Sequence, residues 1–175
     1  SISHEGTNVP IIKNKYQQIF SPQTAYQMTS MLKGVIERGT GKGLRKLNLE
    51  LAGKTGTTNK NTDTWFIGFT SNLVVGVYIG YDNPRSLGKF ETGSKTAMPV
   101  FEQFIKKTAN TYNARPFKVP VNIKMMVVDA KTGKKANSKT KFAIIESFKI
   151  NDNKFTNLSN KFDGGLNITN ILKFY

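Results

Sequence analysis

Lys54, Thr55, Gly56 and Thr57 form a consecutive run whose side chains suit the handling of an acyl group and a carboxylate. A cation at position 54 favours the ionised forms of neighbouring hydroxyls and attracts a substrate carboxylate. Gly56 has no β-carbon, so a ligand can lie directly along a strand edge. Thr55 and Thr57 share strand parity and offer two hydroxyls, while the backbone N–H of Thr57 can donate to a developing oxyanion. A substrate peptide would then add as an extra strand.

Other chemistries fit these residues less well. Gly53-Lys54-Thr55 matches the end of a phosphate-binding loop, but that loop needs a glycine where this chain has Asn48. It also needs a helix where this chain has Gly56 and then Asn59-Lys60-Asn61. His4 is the single histidine and there are no cysteines, so disulfides and thiol catalysis are excluded and a zinc site has too few ligands. Asp63 and Asp82 mark strand ends and shape turns. Trp65 and Phe66 read as packing residues rather than a stacking platform.

The elements that must position the run are legible. Ser21 is a good N-cap with Pro22 behind it, and Ala25, Met28, Leu32, Val35 and Ile36 form the apolar stripe of a helix that Gly39 can close. Residues 39–43, rich in glycine, read as a flexible connection. Three antiparallel strands follow, at about 51–57, 64–70 and 73–82. With Ser71-Asn72 as a two-residue hairpin loop, Thr70 pairs with Leu73, Phe66 with Val77 and Trp65 with Tyr78. One face then carries Phe66, Gly68, Val75, Val77 and Ile79; the other carries Trp65, Ile67, Phe69, Val74 and Tyr78. Both faces are apolar, so both need covers. Met98, Phe101 and Ile105 repeat at helical spacing within 96–110 and supply one. Beyond Pro116, residues 121–129 and 141–148 read as two strands joined through Thr132-Gly133.

The flanks of the run carry a resemblance. Residues 21–41 precede it, Asp63-Thr64-Trp65-Phe66-Ile67-Gly68 and residues 75–82 follow it, and residues 83–88, Glu91-Thr92-Gly93, Ala97-Met98-Pro99 and residues 145–148 extend the pattern. The chain resembles the C-terminal part of the transpeptidase domain of class A, bifunctional penicillin-binding proteins. The resemblance is dense from about Ser21 to Phe104 and thin after Phe117. It implies an α+β fold of α/β sandwich type, an antiparallel sheet with helices on both faces, here with a small β appendage. It also implies that Lys54 is catalytic and that Thr55, Gly56 and Thr57 bind substrate.

In this family the nucleophile lies in Ser-x-x-Lys at the start of a helix, where the lysine helps deprotonate the serine. Three literal matches occur, Ser30 with Lys33, Ser86 with Lys89 and Ser138 with Lys141. The first lies in a helix that the resemblance makes structural, and the others fall in loops. No Ser-x-Asn, the second family motif, occurs. The expected organisation is an incomplete transpeptidase portion over 1–116 without its nucleophile, a β-hairpin appendage over 117–150 and an asparagine-rich tail over 151–175. The complete enzyme would cross-link stem peptides ending in D-Ala-D-Ala through an acyl-serine and polymerise glycan strands from lipid II. β-Lactams would acylate that serine only in the complete domain. No cofactor is implied. The expected location is the periplasmic or extracytoplasmic face of a bacterial cytoplasmic membrane, with the anchor upstream of Ser1.

Composition sets outer limits. The chain has 175 residues and a net charge of +15, mostly scattered lysine, with no RNA-binding aromatic motif, zinc-finger spacing or basic zipper helix. No nucleic-acid partner is therefore expected, although attraction to anionic lipids or wall polymers is reasonable. The alternatives are a non-catalytic module for wall peptides or polymers and, behind it, a basic protein of nucleic acid or anionic surfaces. Removing the nucleophile helix should bare one apolar sheet face, and self-association, exchange of segments with a neighbour or filling of the gap by the chain's own residues 9–20 is expected from that.

Overall fold

A computed structural model describes residues 2–4, 7–9, 17–112 and 115–150. The tail expected over 151–175 lies outside the described residues. Two short strands, β1 (Ile2–His4) and β2 (Thr7–Val9), pair antiparallel near the start.

Helix α1 (Pro22–Glu37) begins as the sequence dictates. The Ser21 hydroxyl accepts the Thr24 N–H at 3.2 Å, satisfying a donor that the first turn leaves free, and Pro22 occupies the first turn where its missing N–H costs nothing. The glycine-rich connection that follows is more ordered than its composition suggests. Gly41 is buried, and a methyl group on it would sit 2.7 Å from Ile36 Cδ1. A 3-10 turn at Lys42–Leu47 then drives Leu44 into the core. Glycine serves close packing here, not mobility.

The centre is a three-stranded antiparallel sheet in the order β3 (Ala52–Thr57), β4 (Asp63–Phe69), β5 (Val74–Gly80). Trp65 pairs with Tyr78 and Phe66 with Val77, and the Thr70 N–H donates to the Leu73 carbonyl at 2.9 Å, as a loop at Ser71-Asn72 requires. β3, like β5, is an edge strand, with Lys54 opposite Ile67 and Gly56 opposite Trp65.

Helix α2 (Ala97–Tyr112) lies across β4 and β5 on one face. Phe66 and Phe101 are both fully buried there, their ring centroids 4.8 Å apart, with Ile105, Ala97 and Leu51 closing the cluster. Gly68 makes this approach possible, since a methyl on it would come within 2.6 Å of the Phe101 ring. Helix α1 packs against β3. On the face opposite α2, Trp65, Ile67, Val74 and Tyr78 keep 42%, 49%, 70% and 50% of their surface exposed.

The last described elements, β6 (Ile123–Asp129) and β7 (Ala143–Lys149), form a separate antiparallel pair. The Asp129 carboxylate accepts the backbone N–H groups of Lys131 and Thr132 at the turn between them, and those bonds, Thr132 first, hold its pKa below the ordinary value. A polar seam attaches this pair to α1. The Gln23 and Gln27 amides donate to the carbonyls of Val121 (2.9 Å) and Ser147 (3.1 Å), Lys149 donates to the Thr24 hydroxyl, and Arg38 pairs with Glu146 at 2.7 Å.

Candidate functional site

The strand edge at Lys54–Thr57 is built by three supports. β4 aligns it in register from one side. Beyond Thr57 the chain reverses through Lys60 and Asn61, both at positive φ (63° and 53°), a conformation that asparagine tolerates better than most residues. The reversal closes with the Thr58 N–H donating to the Asp63 carbonyl at 3.0 Å. The Asn61 side-chain amide donates to the carbonyls of Gly88 and Lys89, each at 2.9 Å, and the Asn61 backbone carbonyl accepts the Leu87 N–H at 2.8 Å. Residues 87–89 are thereby tied beside the motif.

Within the motif the side chains alternate. Opposed residues of an antiparallel pair share a face, so Lys54 and Gly56 belong to the face of Ile67 and Trp65, while Thr55 and Thr57 belong to that of Phe66 and Thr64. Lys54 is exposed, its ammonium donating to the neighbouring Thr55 carbonyl at 2.7 Å. Thr55 Oγ1 lies 3.0 Å from Thr40 Oγ1. Thr57 Oγ1 accepts the Gly93 N–H at 3.1 Å. A methyl on Gly56 would press to 3.2 Å from the Trp65 β-carbon, so a residue with a β-carbon would crowd the Trp65 side chain.

Asp63 shapes the strand end. It accepts the Tyr78 hydroxyl at 2.8 Å and the Thr62 hydroxyl at 3.0 Å, and these bonds, Tyr78 first, hold its carboxyl below the usual value; the same contact raises Tyr78. Of the three Ser-x-x-Lys matches, Ser30 does lie on α1, but the Lys33 ammonium is paired with Glu50. Ser86 and Ser138 are exposed and outside helices and strands. Cavities of about 740 Å³ beside Phe69, Thr70 and Phe117, and of about 590 Å³ between α1 and β7, do not include the motif.

Sequence reasoning missed Thr40, Asn61 and Gly93. Their signals were weak because each acts through the fold: Thr40 stands 15 residues before Thr55, and Gly93 stands 36 residues after Thr57.

Residues 7–106 match the family model described as the penicillin binding protein transpeptidase domain. The chain belongs to that family. Its relatives include penicillin-binding protein 1A of Rickettsia prowazekii, 46% identical over 81% of this chain and 18% of the relative. That of Pseudomonas aeruginosa is 39% identical over 78% of this chain and 17% of the relative. The crystal structure of penicillin-binding protein 1A from Haemophilus influenzae superimposes with a TM-score of 0.67 and 29% identity, covering 76% of this chain and 21% of that one. The chain thus spans about a fifth of the length of these proteins.

Proposed function

We propose that this chain forms the Lys54–Thr57 side of a peptidoglycan D,D-transpeptidase cleft within a longer, bifunctional penicillin-binding protein that also polymerises glycan strands. The parent is anchored in the cytoplasmic membrane by a segment outside this chain and works on the extracytoplasmic face. No helix among the described residues is long and apolar enough to cross a membrane. The division at about 116 and 150 separates the transpeptidase portion from the β-hairpin appendage and the tail.

The observation that carries this reading is the exposed edge strand that presents a lysine beside a glycine. A stem peptide ending in D-Ala-D-Ala aligns along β3. A serine on the facing wall, supplied by another part of the parent, attacks the penultimate D-Ala carbonyl, forming an ester and releasing D-Ala. An amino group of a neighbouring stem peptide then attacks that ester, forming the cross-link and freeing the serine. Lys54 supplies positive potential for the deprotonated serine and the substrate carboxylate, and the Thr57 N–H faces the developing oxyanion. β-Lactams acylate the same serine.

Two measurements test this. N-acetyl-D-Ala-D-Ala added to the chain should shift the amide resonances of residues 54–57, and Lys54→Ala should abolish those shifts; shifts confined to other residues would overturn the assignment. Intact-mass analysis after exposure to penicillin should show no adduct. A stoichiometric adduct lost on Ser30→Ala would place the nucleophile on α1 instead.

A further inference from the structure

The two threonines of the motif are each held from outside their own strand, and the direction of one of those bonds is fixed. Gly93 can only donate through its N–H, so Thr57 Oγ1 must accept, and its own proton stays available for another acceptor. Gly93 is buried, and no other residue fits it. A methyl there would lie 2.4 Å from the Trp65 carbonyl oxygen and 2.6 Å from that of Gly56. Its carbonyl accepts the Met98 N–H at 2.8 Å, which fixes it to the first turn of α2 and so to the core under Phe101. On the other side Thr40, from the turn after α1, reaches Thr55. That pair of hydroxyls is reversible, since either oxygen can donate; when Thr40 donates, Thr55 also keeps its proton for a ligand.

We propose that Gly93 and Thr40 are positioning residues that aim the hydroxyl protons of Thr57 and Thr55 at the terminal carboxylate of the peptide substrate. Thr57 is the committed donor and Thr55 the adaptable one. This rests on the transpeptidase reading above, and it adds residues from two loops that touch no substrate themselves. A free carboxylate, which only accepts hydrogen bonds, gains from both donors, whereas the corresponding C-terminal amide presents donors of its own and gains less.

The experiment uses the full chain and two probes, N-acetyl-D-Ala-D-Ala and its C-terminal amide, with dissociation constants read from NMR titrations. Without ligand, the Gly93 amide proton should be protected from solvent exchange, lose that protection in Thr57→Val and keep it in Thr57→Ser. An unprotected Gly93 amide, or one indifferent to Thr57→Val, overturns the proposal whatever the peptide does. With ligand, Thr40→Val should cut the preference for acid over amide by about threefold to tenfold, the net range of one ordinary hydrogen bond, and Thr40→Ser should restore it. Thr40 is exposed, so this change opens no core. If wild type and Lys54→Ala behave as the transpeptidase reading requires but Thr40→Val weakens both probes equally, the positioning role fails while that reading stands. If neither probe moves residues 54–57, the reading itself fails and takes the proposal with it.

Discussion

The two faces of the central sheet have nearly the same apolar content and opposite fates. Phe66, Val75, Val77 and Ile79 face α2 and share its core, whereas Trp65, Ile67, Val74 and Tyr78 on the other side remain about half exposed or more. Alternation along a strand assigns residues to a face but cannot supply the cover. The first face is closed by a helix of the same chain, and the second is an apolar surface suited to further protein. The motif sits between them, with Lys54 and Gly56 on the open side and its two threonines held from the closed side.

The sharpest way to break this contrast is to empty the closed side. Phe101→Ala should cost about 3–5 kcal/mol, the range for truncating a buried phenylalanine, and urea unfolding would measure it. A loss below about 1 kcal/mol would show that α2 is not the cover described here. Overfilling the same side should cost less: Gly68→Ala forces the Phe66 and Phe101 rings apart, at about 1–3 kcal/mol. Wild-type stability after that change would mean the helix rides higher on the sheet.

On the open side the expectation reverses. Ile67→Lys with Val74→Lys should change stability by no more than about 0.5 kcal/mol per site, as exposed substitutions do, but should shift self-association toward the monomer. Sedimentation velocity across a range of concentrations gives the answer; a wild-type monomer throughout would contradict association through this face.

The smallest effect concerns pH. Asp63 has a lowered pKa in the folded chain because Tyr78 and the threonines donate to it. Its contribution to stability is therefore present above the ordinary carboxylate value of 3.8 and lost as pH falls through the lower folded value. Tyr78→Phe should lower the urea midpoint slightly at neutral pH, leave it nearly unchanged below the folded value, and so flatten that acid-side fall. A fall of unaltered slope would assign the acid sensitivity to Glu102 or Asp129, whose pKa values are lowered as well.

Local physics made much of this molecule readable from its residues. Ser21 and Pro22 started a helix because an N-cap hydroxyl and a proline at the first position satisfy the free first turn. The Ser71-Asn72 loop set the register of β4 and β5, since a two-residue connection leaves one way to pair the flanking strands. The Lys54–Thr57 run could be placed on one strand because its residues are consecutive, and it does lie within β3. The ordering of residues 41–47 was not readable, because glycine has the same letter whether it serves motion or close packing, and only the position of Ile36 distinguishes the two. The supports at Thr40, Asn61 and Gly93 and the unequal covering of the sheet were likewise decided by the tertiary structure. Each depends on groups far apart in sequence meeting at hydrogen-bond or van der Waals distance, and no local preference encodes such a meeting.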